Sequence, residues 1–198
     1  MKKLTILILC IIFTLGCTLV DLTGPRSKID LLSDNTCDKP CVLGITPGVT
    51  TKEQAKIVVD KSTLLSNCME QDLSSQGGVQ WIECNSKSFN IVFSDDIVER
   101  ITLSPSDLNV EQLIQRYGTP DTVGVIIGSL PDEASKSKGI LVYNNIQAVI
   151  TLIEKPGNKY DITPEIQVEA ITFNSDKEQG SIKAKVVDGW KGYGIYSP

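Results

Sequence analysis

The chain opens with an apolar run that is preceded by two lysines and ends at a cysteine. Residues 4–16 form thirteen positions without a charge. A basic start followed by about 7–15 apolar residues is typical of a secretory signal peptide. A membrane-spanning helix needs roughly 20 apolar residues, so an uncleaved anchor extending to Val20 is the second choice. We predict that residues 1–16 are a signal peptide that is removed on export.

Two later segments have the pattern of short amphipathic helices. Near Thr51, a capping-box spacing to Gln54 precedes apolar residues at helical spacing, of which Val58 and Val59 are predicted to be buried. Near Asn109, the same cap spacing to Gln112 precedes a stronger apolar face whose predicted buried residues are Leu113, Ile114 and Tyr117. Gly118 and Pro120 then end this second helix.

Runs of β-type residues follow each helix. The first helix is followed by 79–84, 89–94 and 97–104, and the second by 122–127, 139–146, 147–153 and 166–173. The pair Asp95-Asp96 has the chemistry of a hairpin turn. The last runs read VERITL and VEAITF, so helix cap, strand order and closing motif repeat together. We interpret this as a duplication, with Ile101 and Ile171 at matching positions and facing the helices of their own units.

These patterns predict an α+β fold made of two tandem helix-plus-antiparallel-sheet units. The units are predicted at 45–104 and 105–175, after a tether over 17–44. A segment rich in glycine and aromatic residues, 176–198, follows them.

Several of these motifs resemble the BamE/SmpA-like family of small lipoproteins of the outer-membrane assembly machinery. The run Gly48-Val49-Thr50-Thr51-Lys52-Glu53-Gln54-Ala55 is similar to that family's G-M-T-x-x-Q-V helix start, and Trp81 stands where its first strand often has tryptophan. Residues 93–98 resemble its central hairpin, and 117–120 resemble its L-G-x-P helix end. The resemblance covers about 45–173 and implies αβββ units; two fused copies are also similar to the β-lactamase inhibitory protein. No partner-contacting residue of either can be matched here.

The end of the signal peptide, Thr14-Leu15-Gly16-Cys17, resembles the lipobox of bacterial lipoproteins. In that family a small residue precedes a cysteine that is acylated and becomes the mature N-terminus. Gly16 and Cys17 fit, whereas Thr14 stands where leucine is usual. The resemblance implies a lipid on Cys17 and a place on the extracytoplasmic face of the cell membrane. The alternative is that Cys17 is one more apolar residue of the signal peptide.

Four further cysteines lie in the first half of the chain: Cys37, Cys41, Cys68 and Cys84. In an exported chain they predict two disulfides. Short loops cost least to close, which favours Cys37–Cys41 and Cys68–Cys84. If the strand after the first helix ran back along it, Cys84 would instead meet Cys41 or Cys37. A four-cysteine zinc site is the other alternative, but two close C-x-x-C knuckles are missing, so we predict no metal or other cofactor.

The sequence has few of the residues that enzymes use. It contains no histidine, the commonest general base and metal ligand. It also lacks the G-x-S-x-G, H-E-x-x-H and G-x-x-x-x-G-K-[ST] motifs. The formal net charge is −5 without a clustered basic surface, which disfavours a nucleic-acid partner. We predict that the protein is not an enzyme.

The C-terminal stretch GWKGYGIYSP places Trp190, Tyr193 and Tyr196 among glycines. Exposed aromatic rings are common binding anchors, so these three are candidate binding residues. The alternative is that they complete a small core.

Together these observations predict an exported, membrane-anchored lipoprotein that acts as a non-catalytic module binding a protein or an envelope polymer. The alternative is an extracellular inhibitor of an enzyme that uses the concave face of a tandem sheet. An inhibitor of this kind would show exposed aromatic residues on one continuous sheet face. A scaffold lipoprotein would show an apolar groove or an exposed edge.

Overall fold

The computed structural model of the chain describes residues 32, 37, 40–72, 80–85, 88–126, 138–157, 159–176 and 185–197. The predicted signal peptide, Cys17 and most of the tether therefore lie outside the described residues. Within those ranges are two helices, α1 (Lys52–Lys61) and α2 (Val110–Tyr117). Neither has the length and apolar character needed to cross a membrane.

Both helices begin as the sequence predicts. The Thr51 hydroxyl accepts a hydrogen bond from the Gln54 N–H, and the Gln54 side chain accepts one from the Thr51 N–H. Asn109 and Gln112 form the same reciprocal pair at the start of α2. Two otherwise free N–H groups are thus satisfied at each helix start.

Twelve strands are present in the described ranges, and they form two antiparallel sheets. The larger sheet has nine strands in the order β1–β2–β3–β4–β10–β7–β6–β5–β11. These are β1 (Met69–Asp72), β2 (Gln80–Cys84), β3 (Phe89–Ser94), β4 (Ile97–Leu103), β5 (Thr122–Ile126), β6 (Lys138–Tyr143), β7 (Ile146–Thr151), β10 (Val168–Asn174) and β11 (Lys185–Gly189). The smaller sheet has the order β12–β9–β8 and consists of β8 (Ile153–Lys155), β9 (Lys159–Ile162) and β12 (Gly194–Tyr196).

The predicted fold class is wrong. The chain is mostly β-structure built on one nine-stranded antiparallel sheet, and it does not form two tandem helix-plus-sheet units. The strands that were expected to close separate units, β4 and β10, pair with each other, with Ile101 opposite Phe173 and Leu103 opposite Ile171. Backbone hydrogen bonding therefore continues across the predicted boundary. Alternation within a strand shows which of its residues face a core, but it does not show which other strands pair with it.

The helices bury slightly different residues from those predicted. In α1, Ala55 and Val59 are buried, whereas Val58 is only half-buried. In α2, Leu113 is buried as predicted, and so is Val110. Ile114 and Tyr117 are half-buried against the core, where the Tyr117 ring makes edge contacts with Phe173 and Tyr143. Both helices are short, so their position is set by packing on the sheet rather than by propensity.

The large sheet has two different faces. On one face Ile91, Ile101 and Leu141 join the buried residues of both helices in a single core cluster. Val92 and Ile140 are also buried but do not belong to that cluster, because successive side chains of a strand point to opposite faces. We call the face that carries Val92 and Ile140 the second face.

The structure contains both favoured disulfides. Cys37 is joined to Cys41, and Cys68 to Cys84 with Cα atoms 4.0 Å apart. The alternative partners for Cys84 are excluded by β1, which was not predicted. This strand pairs antiparallel with β2, so Cys68 comes next to Cys84 one position beyond the pair Met69–Glu83.

Strand β1 forms one edge of the large sheet, and all four of its residues are exposed. Glu70 ties it to α1 through ion pairs with Lys52 at 2.9 Å and Lys56 at 2.6 Å. Hydrogen bonds from Lys56 and then Lys52 hold the pKa of the Glu70 carboxyl below its usual value. Charged side chains on an edge strand also discourage pairing with another chain.

Candidate functional site

The C-terminal segment connects the two sheets. Strand β11 pairs with β5 at the second edge of the large sheet. The Trp190 N–H then donates to the Asp121 carbonyl oxygen at 3.2 Å, and the chain turns to place β12 beside β9. Trp190 and Tyr193 therefore lie in the connection between the two sheets, and Tyr196 lies in β12 of the small sheet.

Tyr196 has a structural role. Its side chain is buried, and its ring stacks on Trp190 with centroids 6.1 Å apart. Its hydroxyl donates to the Gly192 carbonyl oxygen at 2.7 Å and accepts from the Lys191 N–H at 2.9 Å. Tyr196 thus holds the turn in place. The turn requires a glycine at position 192, because its φ angle of 96° is unfavourable for residues with a Cβ.

Tyr193 and Ile195 face solvent. They are 45% and 62% exposed, and the Tyr193 ring meets Trp190 edge-on at 5.8 Å. The other large exposed apolar residues in the described ranges are Val49, Ile57 and Met69, each in a different part of the sequence. We call the group Trp190, Tyr193 and Ile195 the terminal patch. Such a group indicates an interaction site more strongly than a single exposed side chain does.

Two carboxylates contribute to the electrostatics of the terminal patch. The pKa of the Tyr193 hydroxyl is raised, first by partial burial and then by the negative charges of Glu111 and Glu165. Glu111 lies in the first turn of α2, and Glu165 lies between β9 and β10; both are exposed. The patch is therefore apolar with negative charge beside it. Sequence analysis missed Ile195 because only the aromatic residues of its stretch were considered. It missed Glu111 and Glu165 because they lie about 80 and 30 positions before Tyr193 in the sequence.

A concavity lies between the loop that precedes α1 and the β3–β4 turn. Its volume is about 230 Å³, and its lining includes Val49, Asp95, Glu99 and Asp176. Asp95 and Asp96 have positive φ angles of 51° and 59°, as expected for the hairpin turn predicted at this point. Among the described residues no three metal-ligand side chains are grouped closely enough to hold an ion. The turn therefore accounts for the adjacent pair of acids.

Comparisons with known proteins do not extend this description. No family model, no curated protein and no solved structure matches the chain. The resemblance to the BamE/SmpA-like lipoproteins stays a prediction.

Proposed function

We propose that this chain is an exported lipoprotein, attached through Cys17 to the extracytoplasmic face of the cell membrane, that binds another protein through the terminal patch. The observation that carries the proposal is the exposure of Tyr193, whose ring meets half-buried Trp190 edge-on, with exposed Ile195 two positions further along the chain. Rigid aromatic residues with apolar neighbours are the usual anchors of protein interfaces. No catalytic role is assigned to any residue.

The arrangement of the rings favours a protein over a sugar polymer. A sugar stacks on the open face of an aromatic ring. The Trp190 ring already stacks on Tyr196 and meets the edge of Tyr193, and the most exposed member of the patch is the aliphatic Ile195. An apolar side chain of a partner fits such a surface.

The negative charges beside the terminal patch indicate what kind of partner segment can bind there. Glu111 and Glu165 act on the Tyr193 hydroxyl, so a cation placed there is attracted. We infer a partner segment that carries an apolar side chain next to lysine or arginine. The charge sets the orientation and the rate of association more than the affinity.

The inhibitor alternative has less support. On the second face Trp81 is the only aromatic side chain among the described strand residues, and it is half-buried. An inhibitor of the predicted kind would show several exposed aromatic residues there. The terminal patch lies elsewhere, next to the small sheet.

Replacement of the lipid-bearing residue tests the anchor. Cys17→Ser is expected to release the protein from the membrane fraction or to leave its precursor unprocessed, because acylation needs the thiol. Fractionation and the mass of the N-terminal peptide measure this. Ser27→Ala, a change in the predicted tether, serves as the control. A Cys17→Ser protein that is still processed and membrane-bound contradicts the anchor.

Substitutions in the terminal patch test the binding. The chain is crosslinked to its partner in intact membranes and purified, and the amount of partner recovered with the wild-type chain is the reference. Tyr193→Ser and Ile195→Ser are each expected to reduce recovery about tenfold or more, as for interface anchors. Ile57→Ser is the matched control, because Ile57 is 46% exposed on α1. Equal recovery with the patch and control variants would remove the patch from the proposal.

A further inference from the structure

The concavity beside the β3–β4 turn is lined by segments that backbone hydrogen bonds hold to β4. The Gly48 N–H donates to the Val98 carbonyl oxygen at 2.7 Å, which ties the loop before α1 to this strand. The Ser175 N–H donates to the Glu99 carbonyl oxygen at 2.9 Å, which ties the residue after β10 to the same strand. Two walls of the concavity are therefore fixed before anything binds, which lowers the cost of binding.

The walls of the concavity carry negative charge. Three carboxylates line it, those of Asp95, Glu99 and Asp176, and the described residues of its lining include no lysine or arginine. The Asp95 carboxylate is exposed and has no hydrogen-bond or ion-pair partner among the described residues. These carboxylates are not grouped closely enough to hold a metal ion together. The charge therefore suits a larger, organic cation.

A buried hydroxyl group also lines the concavity. Ser175 is only 5% exposed, and its side chain makes no hydrogen bond within the described ranges. Its oxygen is nevertheless not completely covered, so a group in the concavity can reach it. Buried polar groups normally have a partner, and a hydroxyl oxygen can accept a hydrogen bond from a cationic N–H. Ser175 therefore indicates a ligand that carries hydrogen-bond donors.

The size of the concavity and the rest of its lining favour one long side chain. Its volume of about 230 Å³ is below the roughly 300–1,000 Å³ of pockets that enclose drug-sized molecules. Apolar residues complete the lining, among them Ile97 and Val49, which is 60% exposed. Lysine and arginine combine an apolar stem with a charged end. Arginine suits several oxygens better, because its planar fork presents five donors.

We propose that the concavity binds an arginine side chain of a protein partner. The guanidinium group lies at the three carboxylates and the Ser175 hydroxyl, and the stem packs on Val49. An arginine within a protein has a neutral backbone, whereas free arginine would bring its own carboxylate close to three others, and like charges repel. The concavity shares no residue with the terminal patch, so this inference can fail while the proposed function stands.

NMR titration of the full-length, isotope-labelled chain in an uncharged detergent tests the site. The probe is acetyl-glycyl-arginyl-glycinamide, and the control probe carries citrulline, which has nearly the same shape without the charge. The arginine tripeptide is expected to shift the amide signals of Gly48, Asp95 and Ser175 to saturation. The citrulline tripeptide is expected to bind about tenfold more weakly, because charged hydrogen bonds are lost. Free arginine is also expected to bind more weakly than the arginine tripeptide.

Variants of the chain identify the groups that hold the guanidinium. Asp95→Asn removes one charge and keeps the turn, because asparagine also tolerates the positive φ of 51°. It is expected to weaken binding of the arginine tripeptide about tenfold, and Ser175→Ala about threefold. Asp60→Asn removes an exposed carboxylate of α1 and is the matched control, with unchanged affinity. Unaltered signals elsewhere in the spectrum show that each variant is folded.

Three results would each overturn the proposal. The first is equal affinity for the arginine and citrulline tripeptides, and the second is an Asp95→Asn variant that binds like the wild type. The third is tighter binding of free arginine than of the tripeptide, because the occupant would then be a small molecule rather than a protein.

Discussion

Phe173→Ala is expected to lower the free energy of unfolding by about 3–5 kcal/mol, the range for truncating a buried phenylalanine. Phe173 is 1% exposed and lies on β10, opposite Ile101 of β4 and Ile146 of β7. Its ring also meets the edge of the Tyr117 ring at 6.1 Å. The alanine leaves a cavity between α2 and the strand that joins the two halves of the sheet, and a paired sheet cannot collapse to fill it.

Urea unfolding followed by tryptophan fluorescence measures this change. Phe173→Leu keeps most of the volume and is expected to cost much less, about 1 kcal/mol. Ile57→Ala, at an exposed position of α1, is expected to have almost no effect. If Phe173→Ala lowers the free energy of unfolding by less than about 1 kcal/mol, Phe173 does not fill a buried site and the central position of β10 is contradicted.

Joint replacement of Cys68 and Cys84 by alanine is expected to cost about 3 kcal/mol, because this bridge closes the longer loop of the two disulfides. The bridge spans 16 positions, whereas Cys37–Cys41 spans 4. Removing the shorter bridge is expected to cost about 2 kcal/mol on the same loop-entropy argument. The difference of about 1 kcal/mol between the two double variants is the quantity to measure by urea unfolding.

Hydrogen exchange gives a second measurement of the same prediction. Without the Cys68–Cys84 bridge, the contacts that hold β1 include its pairing with β2, the hydrogen bond from Gln80 to Asp72 and the ion pairs of Glu70 with Lys52 and Lys56. Amides of β1 are therefore expected to lose protection before those of β10, which has a strand on each side. Uniform loss across the sheet would mean that the bridge does not act at this edge.

Features that depend on near neighbours in the chain could be predicted from the sequence. The capping boxes at Thr51 and Asn109 involve residues three positions apart, and the turn at Asp95-Asp96 needs only two residues that tolerate positive φ. Short loops favoured the two disulfides that the structure contains, but Cys37 and Cys41 remained possible partners of Cys84 until β1 placed Cys68 beside it.

Strand β1 could not be predicted, because its sequence MEQD has no alternation between apolar and polar residues. All four residues are exposed, so no hydrophobic signal exists to be found. The strand forms because it pairs with β2 and is fastened at Cys68. The short strands β8, β9 and β12 likewise depend on pairing with each other.

The candidate site was predicted only in part, for a similar reason. Composition alone identified Trp190, Tyr193 and Tyr196 as a group, but it could not tell which of them are buried and which are exposed. Tertiary contacts separate them: Tyr196 is buried and holds the turn through its hydroxyl, whereas Tyr193 is exposed. The neighbouring carboxylates of Glu111 and Glu165 arrive from distant parts of the chain.

The sequence by itself determined the helix starts, the central hairpin and most strands of the large sheet, because each depends on residue spacing along the chain. Only the tertiary structure decided that β4 pairs with β10, that the sheet is continuous, and that Cys84 lies beside Cys68 rather than beside Cys37 or Cys41. The physical reason is that the edge of a strand presents the same N–H and C=O groups whatever its side chains are. Which edges meet depends on how the whole chain buries its apolar surface.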